Sequence, residues 1–174
     1  MTKAEHSTGK TAGKGNIPSA PNILGWREWV SLPELGIPAI KAKIDTGAKT
    51  SALHAFRIQP FVRNKTDHVR FWLHPLQNKR KIELECEAPV IQKRNVKNSG
   101  GQREERYVIE SDICIGDHTW TIEMTLTSRE DMMFRMLLGR SAIRDGKLKI
   151  DPSASYVTGR GKGRVYTAHI RDIK

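Results

Sequence analysis

Cysteine is scarce in this chain, with two thiols, Cys86 and Cys114, in 174 residues. So low a number excludes a disulfide framework, and their separation excludes a local metal knuckle. Both fall in strand-like runs, where a buried, inert thiol is the expected role. Aromatic residues make up only 6%, too few for a module that stacks nucleic-acid bases on its strands. No run approaches the roughly 20 apolar residues of a membrane span. The N-terminus also lacks the apolar stretch of a secretory signal, so a cytoplasmic protein with no membrane partner is expected. His54, His68, His74, His118 and His169 are dispersed, and no His-Glu-x-x-His helix presents two imidazoles on one face. No metal and no cofactor are expected, and no Ser or Cys nucleophile has a credible base beside it. Acidic residues are outnumbered as well: 19 Asp and Glu against 30 Lys and Arg give a net charge of +11. A surplus of that size draws polyanions of any kind, whether acidic peptide, nucleic acid or anionic lipid.

What is present is the material of one modest core. Hydrophobic residues are 37% and charged residues 28%, the balance of a globular chain. Residues 1–21 are mostly Lys, Gly, Ser and Thr and are expected to form a flexible basic tail. Within them Ala4-Glu5-His6-Ser7-Thr8-Gly9-Lys10-Thr11 imitates a phosphate-binding loop. A working one must leave a strand and open a helix, which the surrounding Gly13, Gly15, Pro18 and Pro21 do not allow. A single domain is expected over 22–157, followed by a basic segment over 158–174. Its Arg160-Gly161-Lys162-Gly163-Arg164 run reads as a solvated tail rather than a phosphate contact.

From Ile23 onward short runs of β-branched and aromatic residues alternate with turn residues, which predicts a largely β domain. Gly25–Val30 reads as a first strand and Pro33–Gly36 as a turn. Ile40, Ala42 and Ile44 then alternate with Lys41, Lys43 and Asp45, so Asp45 ends a strand with one apolar face. Val69–Leu73 and Ile82–Cys86 read as a strand pair, and Lys93–Arg106 as a hairpin with Asn98-Ser99-Gly100-Gly101 at its tip. Tyr107–Ile109, Ile113–Ile115 and Trp120–Leu126 follow as strands. Only 129–134 and Ser141–Asp145 look helical.

Asp45-Thr46-Gly47-Ala48 at a strand end, then a hairpin, a strand pair, Met136-Leu137-Leu138-Gly139-Arg140 and a short helix: this order resembles the retropepsins, the single-domain dimeric aspartic proteases. The stretch from Asp45 to Ala55, Tyr107-Val108-Ile109, Met136–Arg140 and Ile150-Asp151-Pro152 are more closely similar to a small bacterial family often labelled "ATP-dependent zinc protease". The likeness spans about 23–156. It implies a mostly β fold, a retropepsin-like closed barrel with one or two short helices. It also implies a homodimer in which Asp45 of each chain, with Thr46 and Gly47, forms a catalytic pair sharing one proton and activating water. Ala48, Lys49, Thr50, Ser99, Gly100 and Gly101 would bind substrate, the last three as a flap tip. Leu137, Leu138, Gly139 and Arg140 would support the site from beneath.

The chain departs from the viral retropepsins in one respect. They place an acidic residue two positions past the Gly, where it pairs with the Arg of the Gly-Arg segment. Lys49 stands there in this sequence, so Arg140 needs another partner. Lys49, together with Lys93, Arg94, Lys97 and Arg103 of the hairpin, suggests an acidic peptide substrate. Members of the family are often associated with a ligase that adds glutamates to a ribosomal protein, which fits such a substrate. The expected function is therefore an aspartic endopeptidase, with a non-catalytic module binding an acidic protein or RNA as the alternative.

Overall fold

The computed structural model describes residues 22–77, 79–97, 100–128 and 133–167. The phosphate-loop imitation at 4–11 and Ser99 lie outside them, as does most of the helix expected over 129–134. Within that segment Met133 and Phe134 occupy a bend. The domain is mostly β. Its strands are β1 (Ile23–Gly25), β2 (Arg27–Leu32), β3 (Ile37–Asp45), β4 (Ser51–His54), β5 (Arg57–Arg63), β6 (Thr66–Leu73), β7 (Leu84–Pro89) and β8 (Gln92–Lys97). Then come β9 (Arg103–Ile115), β10 (His118–Thr127), β11 (Met136–Gly139), the helix α1 (Arg140–Asp145) and β12 (Lys149–Asp151).

The main sheet runs β10-β4-β11-β3-β2-β9-β8, and β10 also pairs with β9. The strands from β10 through β4, β11, β3 and β2 to β9 therefore close into a ring, with β8 attached outside it. Closure removes the unpaired edges that an open sheet would expose. A second sheet, β5-β6-β7, lies beside the ring, and β1 pairs with β12.

Alternation explains most of the ring. In β3 the side chains of Ile40, Ala42 and Ile44 are buried and Lys43 is exposed, as a half-buried strand requires. In β9, which continues without a break through Tyr107–Ile115, Ile109, Ile113 and Ile115 reach the same core as Leu53, Met124, Leu126 and Leu138. The reversals are made by Gly36 and Gly116, with φ of +67° and +59°, values a side chain tolerates poorly. The C-terminal segment is tied to the domain through Glu28 and Tyr166. The Glu28 carboxylate is fully buried in β2 and accepts hydrogen bonds from Gly25, Val157 and Thr158. The Tyr166 ring packs with Trp29 and Ala39 in a second, smaller apolar cluster.

Among the described residues no helix is long and apolar enough to cross a membrane. Cys86 is buried and Cys114 half-buried, both without a disulfide.

Candidate functional site

Asp45 is the last residue of β3, and the chain turns at once through Thr46 and Gly47 into the loop that leads to β4. The turn is made by the aspartate itself. Its Oδ1 accepts the backbone N–H groups of Gly47 at 3.0 Å and Ala48 at 3.2 Å, the local capture that favours Asp in turns. The carboxylate is thereby fixed in direction while its residue stays only half-buried.

The loop is braced by a segment from the other end of the domain. β11 runs parallel to β3 and antiparallel to β4, with Gly139 in register with Asp45 and Leu137 with Ala52. Past its end, Arg140 N–H donates to Ala48 O at 2.9 Å and Ser141 N–H to Lys49 O at 3.0 Å. The Ser141 hydroxyl donates to the same Lys49 oxygen at 2.8 Å. Gly139 N–H donates to the Ser51 hydroxyl at 3.1 Å. A Cβ on Gly139 would lie 2.6 Å from the Thr50 carbonyl carbon and 2.9 Å from Ser51 N, so the brace can sit this close only through glycine. Arg140, which lacks the acidic partner it has in the viral enzymes, donates from Nη1 to the carbonyl oxygens of Thr46 at 2.7 Å and Gly47 at 3.0 Å. A cation reading two backbone carbonyls replaces the ion pair.

In front of the loop lies a groove of about 540 Å³. Asp45, Gly47, Ala48, Lys49 and Thr50 line it together with the β8 residues Arg94–Lys97, and Ala52, Arg106, Thr125 and Leu137 complete it. The structure thus brings together Asp45, Gly47, Ala48, Lys49, Thr50, Leu137, Arg94 and Lys97 from the sequence-predicted set. Thr46 is exposed beside them, Leu138 and Gly139 are buried beneath, and Gly100 and Gly101 form an exposed turn at the hairpin tip, apart from the groove lining. Lys93 and Arg103 are exposed on the hairpin and do not line it either.

Arg106 was not legible as a site residue, because the hairpin was read from its turn and not from which faces its arms present. It is buried, holds Glu104 with Nε and Nη2 at 2.9 and 2.8 Å, and faces Arg94 across the hairpin. Arg94 in turn donates to Thr50 Oγ1 at 3.1 Å and Glu123 Oε2 at 3.0 Å. Among the described residues no group of three or more His, Cys, Asp or Glu side chains could hold a metal ion.

A closed ring of strands with an aspartate at one strand end, in a loop pinned by a later Leu-Leu-Gly-Arg strand, defines a retropepsin-like domain. The chain belongs to the RimB-like family, described as "Retropepsin-like aspartic endopeptidase RimB", whose model matches residues 23–161. It is thus a member of a family of enzymes. Its sequence is 52% identical over 138 residues to a "Probable alpha-L-glutamate ligase" of Shewanella halifaxensis, covering 79% of this chain and 30% of that protein. A protein of the same name from Parasynechococcus marenigrum is 49% identical over 137 residues, covering 79% of this chain and 29% of its own length. The chain therefore spans about a third of these relatives. A crystal structure of a Legionella pneumophila protein of unknown function matches with a TM-score of 0.67 at 28% identity, covering 79% of this chain and 98% of that one.

These relatives correct the expected function. Proteins half identical to this chain are named for joining glutamate, not for cutting peptides as an aspartic endopeptidase. The alternative of a non-catalytic binding module gains no direct support from them.

Proposed function

We propose that this chain works in α-L-glutamate ligation, as the module that handles the α-amide bonds of glutamyl chains, with Asp45 as its acid–base group. The observation that carries this reading is a carboxylate held in place by its own turn, in a groove whose other charged lining residues, Lys49, Arg94, Lys97 and Arg106, are all cations. Such a groove attracts an acidic chain and offers one group able to move a proton at the amide. The names of the relatives supply the identity of the acidic residue, glutamate.

The finer enzyme class, that of an aspartic peptidase, enters through the family description. Hydrolysing an amide and forming one from an activated carboxyl each pass through a tetrahedral species at the carbonyl carbon. The first carries a hydroxyl from water and the second the departing activating group, and in both a proton is exchanged at the amine nitrogen. A carboxylate placed to protonate or deprotonate either species therefore serves whichever direction the rest of the system drives. One chain supplies one Asp45, and a homodimer that sets two of them face to face belongs to the same reading. So does a cytoplasmic location beside the ligase.

The test is a peptide ending in a short α-linked glutamate chain, incubated with the purified protein alone and with ATP, magnesium and glutamate. Mass spectrometry reads the chain length. Length is expected to change with wild-type protein and to stay constant with Asp45→Asn. Equal traces for wild type and variant would reject the role of Asp45. Sedimentation at equilibrium reports the pairing, and a monomer at every concentration tested would reject it.

A further inference from the structure

Arg94 and Arg106 stand directly opposite one another across the β8–β9 hairpin. Like charges at facing positions of an antiparallel pair repel, and Arg106 is only 7% exposed, which removes most of the water that would screen it. Each guanidinium is held by its own carboxylate. Glu104 takes Arg106, and Glu123 takes Arg94 at 3.0 Å. Both arginines line the groove, and neither glutamate does. The carboxylates are themselves part-exposed, Glu104 at 35% and Glu123 at 38%, away from the groove lining.

Ion pairs whose carboxylates are more than a third exposed, as both of these are, add little to stability. What such an arrangement does provide is a pair of planar five-donor groups whose direction is set before any ligand arrives. The bond from Arg94 to Thr50 Oγ1, at 3.1 Å, fixes this pair relative to the loop that carries Asp45. Lys49 and Lys97, both exposed, contribute a screened attraction without geometry.

We propose that Arg94 and Arg106 form a carboxylate subsite that takes the side chain of a glutamyl residue neighbouring the amide at Asp45. The subsite rests on the glutamyl reading above and names the residues that enforce it. An extended chain sends successive side chains to opposite faces. One glutamyl carboxylate can therefore enter the arginine fork while the backbone passes Asp45. Glu104 uses the Nε–Nη2 edge of Arg106, so its Nη1–Nη2 edge is the one that suits a planar carboxylate, which accepts two parallel N–H bonds. An uncharged glutamine side chain of the same shape cannot use it equally.

The experiment uses fluorescein-labelled tetra-α-glutamate and the corresponding tetra-glutamine peptide, both amidated at the C-terminus, with binding read by fluorescence anisotropy. Wild type is compared with Arg94→Lys, Arg106→Lys and, as a control outside the groove, Arg144→Gln. Both Lys variants keep the charge and lose the fork. They are expected to weaken binding of the glutamate peptide by about tenfold while leaving the glutamine peptide unchanged. Arg144→Gln should match wild type. Because Arg106 is buried, a melting curve accompanies each variant, and the half-buried Arg94 carries the test if Arg106→Lys does not fold. A wild type that binds both peptides alike, or neither, would sink the glutamyl reading and the subsite with it. A wild type that prefers glutamate, with that preference intact in Arg94→Lys, would overturn the subsite alone.

Discussion

Arg140 donates to the carbonyl oxygen of Thr46 at 2.7 Å, across 94 residues of sequence. Its second acceptor is Gly47 O, so a single nitrogen holds both residues that follow Asp45. Arg140→Ala removes a brace that lies on the surface, and the expected loss of stability is about 1 kcal/mol. Under the role proposed for Asp45 the loss in turnover should be larger, on the order of tenfold or more, since small displacements of a reacting group are costly. A denaturant melt and a rate measurement on the same preparations separate the two. Equal turnover in variant and wild type would remove the positioning role.

Gly139→Ala is expected to destabilise by about 2 kcal/mol, because the new methyl meets main chain rather than a yielding side chain. Its neighbours would be Thr50 C, Thr50 O and Ser51 N, all within 2.9 Å. Urea titration gives the number. An unchanged midpoint would mean that the loop can back away from β11 at no cost.

Glu28 ties the start of the domain to its end, accepting from Gly25 N at 2.7 Å, Val157 N at 2.9 Å, and Thr158 N and Oγ1 at 3.2 and 3.0 Å. Glu28→Ala leaves these donors without their acceptor and should cost about 3 kcal/mol. Hydrogen exchange at the amides of Val157 and Thr158 should accelerate ahead of the ring strands. Uniform acceleration across the domain would show that the segment does not open separately.

Alkali should unfold the protein in a defined window. Burial raises the Cys86 thiol from 9.0 to about 12, helped by the negative charge of Glu85. Burial likewise raises the Tyr166 phenol from 10.0 to about 12, against a hydrogen bond with Ala39 that lowers it. Both groups are neutral in the fold and ionise more easily in the unfolded chain. The unfolded state therefore binds fewer protons there, and stability falls with rising pH. The contribution is intact below about pH 9 and disappears by about pH 12. Cys86→Ala should flatten the first part of that decline and Tyr166→Phe the part above pH 10. Stability measured from pH 8 upward checks both slopes.

Much of the ring could be read from the chain because β3, and β10 as far as Glu123, are half-buried strands whose alternation records which face is wet. The turn at Pro33–Gly36 was legible from its residue types. β4 was not, since Ser51–His54 are buried on both faces and leave no alternation to detect. β5 was missed for the opposite reason: it lies at a sheet edge, mostly exposed, with Pro60 within it. β9 was split in two because polar Glu110 and Asp112 interrupt its apolar residues.

At the site, Asp45 and the Leu-Leu-Gly-Arg segment were visible as motifs. The acceptor found by Arg140 was not, because main-chain carbonyls carry no residue signature. Arg106 was hidden as well, since the side of a hairpin arm that meets a groove depends on register with strands distant in sequence.

The insertion of β11 between β3 and β4 also sets an order of events on the ribosome. Asp45 is made long before the residues that shape its loop, Gly139 to Ser141. Until then the turn that carries Asp45 lacks its brace, and the loop takes its final form only when β11 joins β3 and β4.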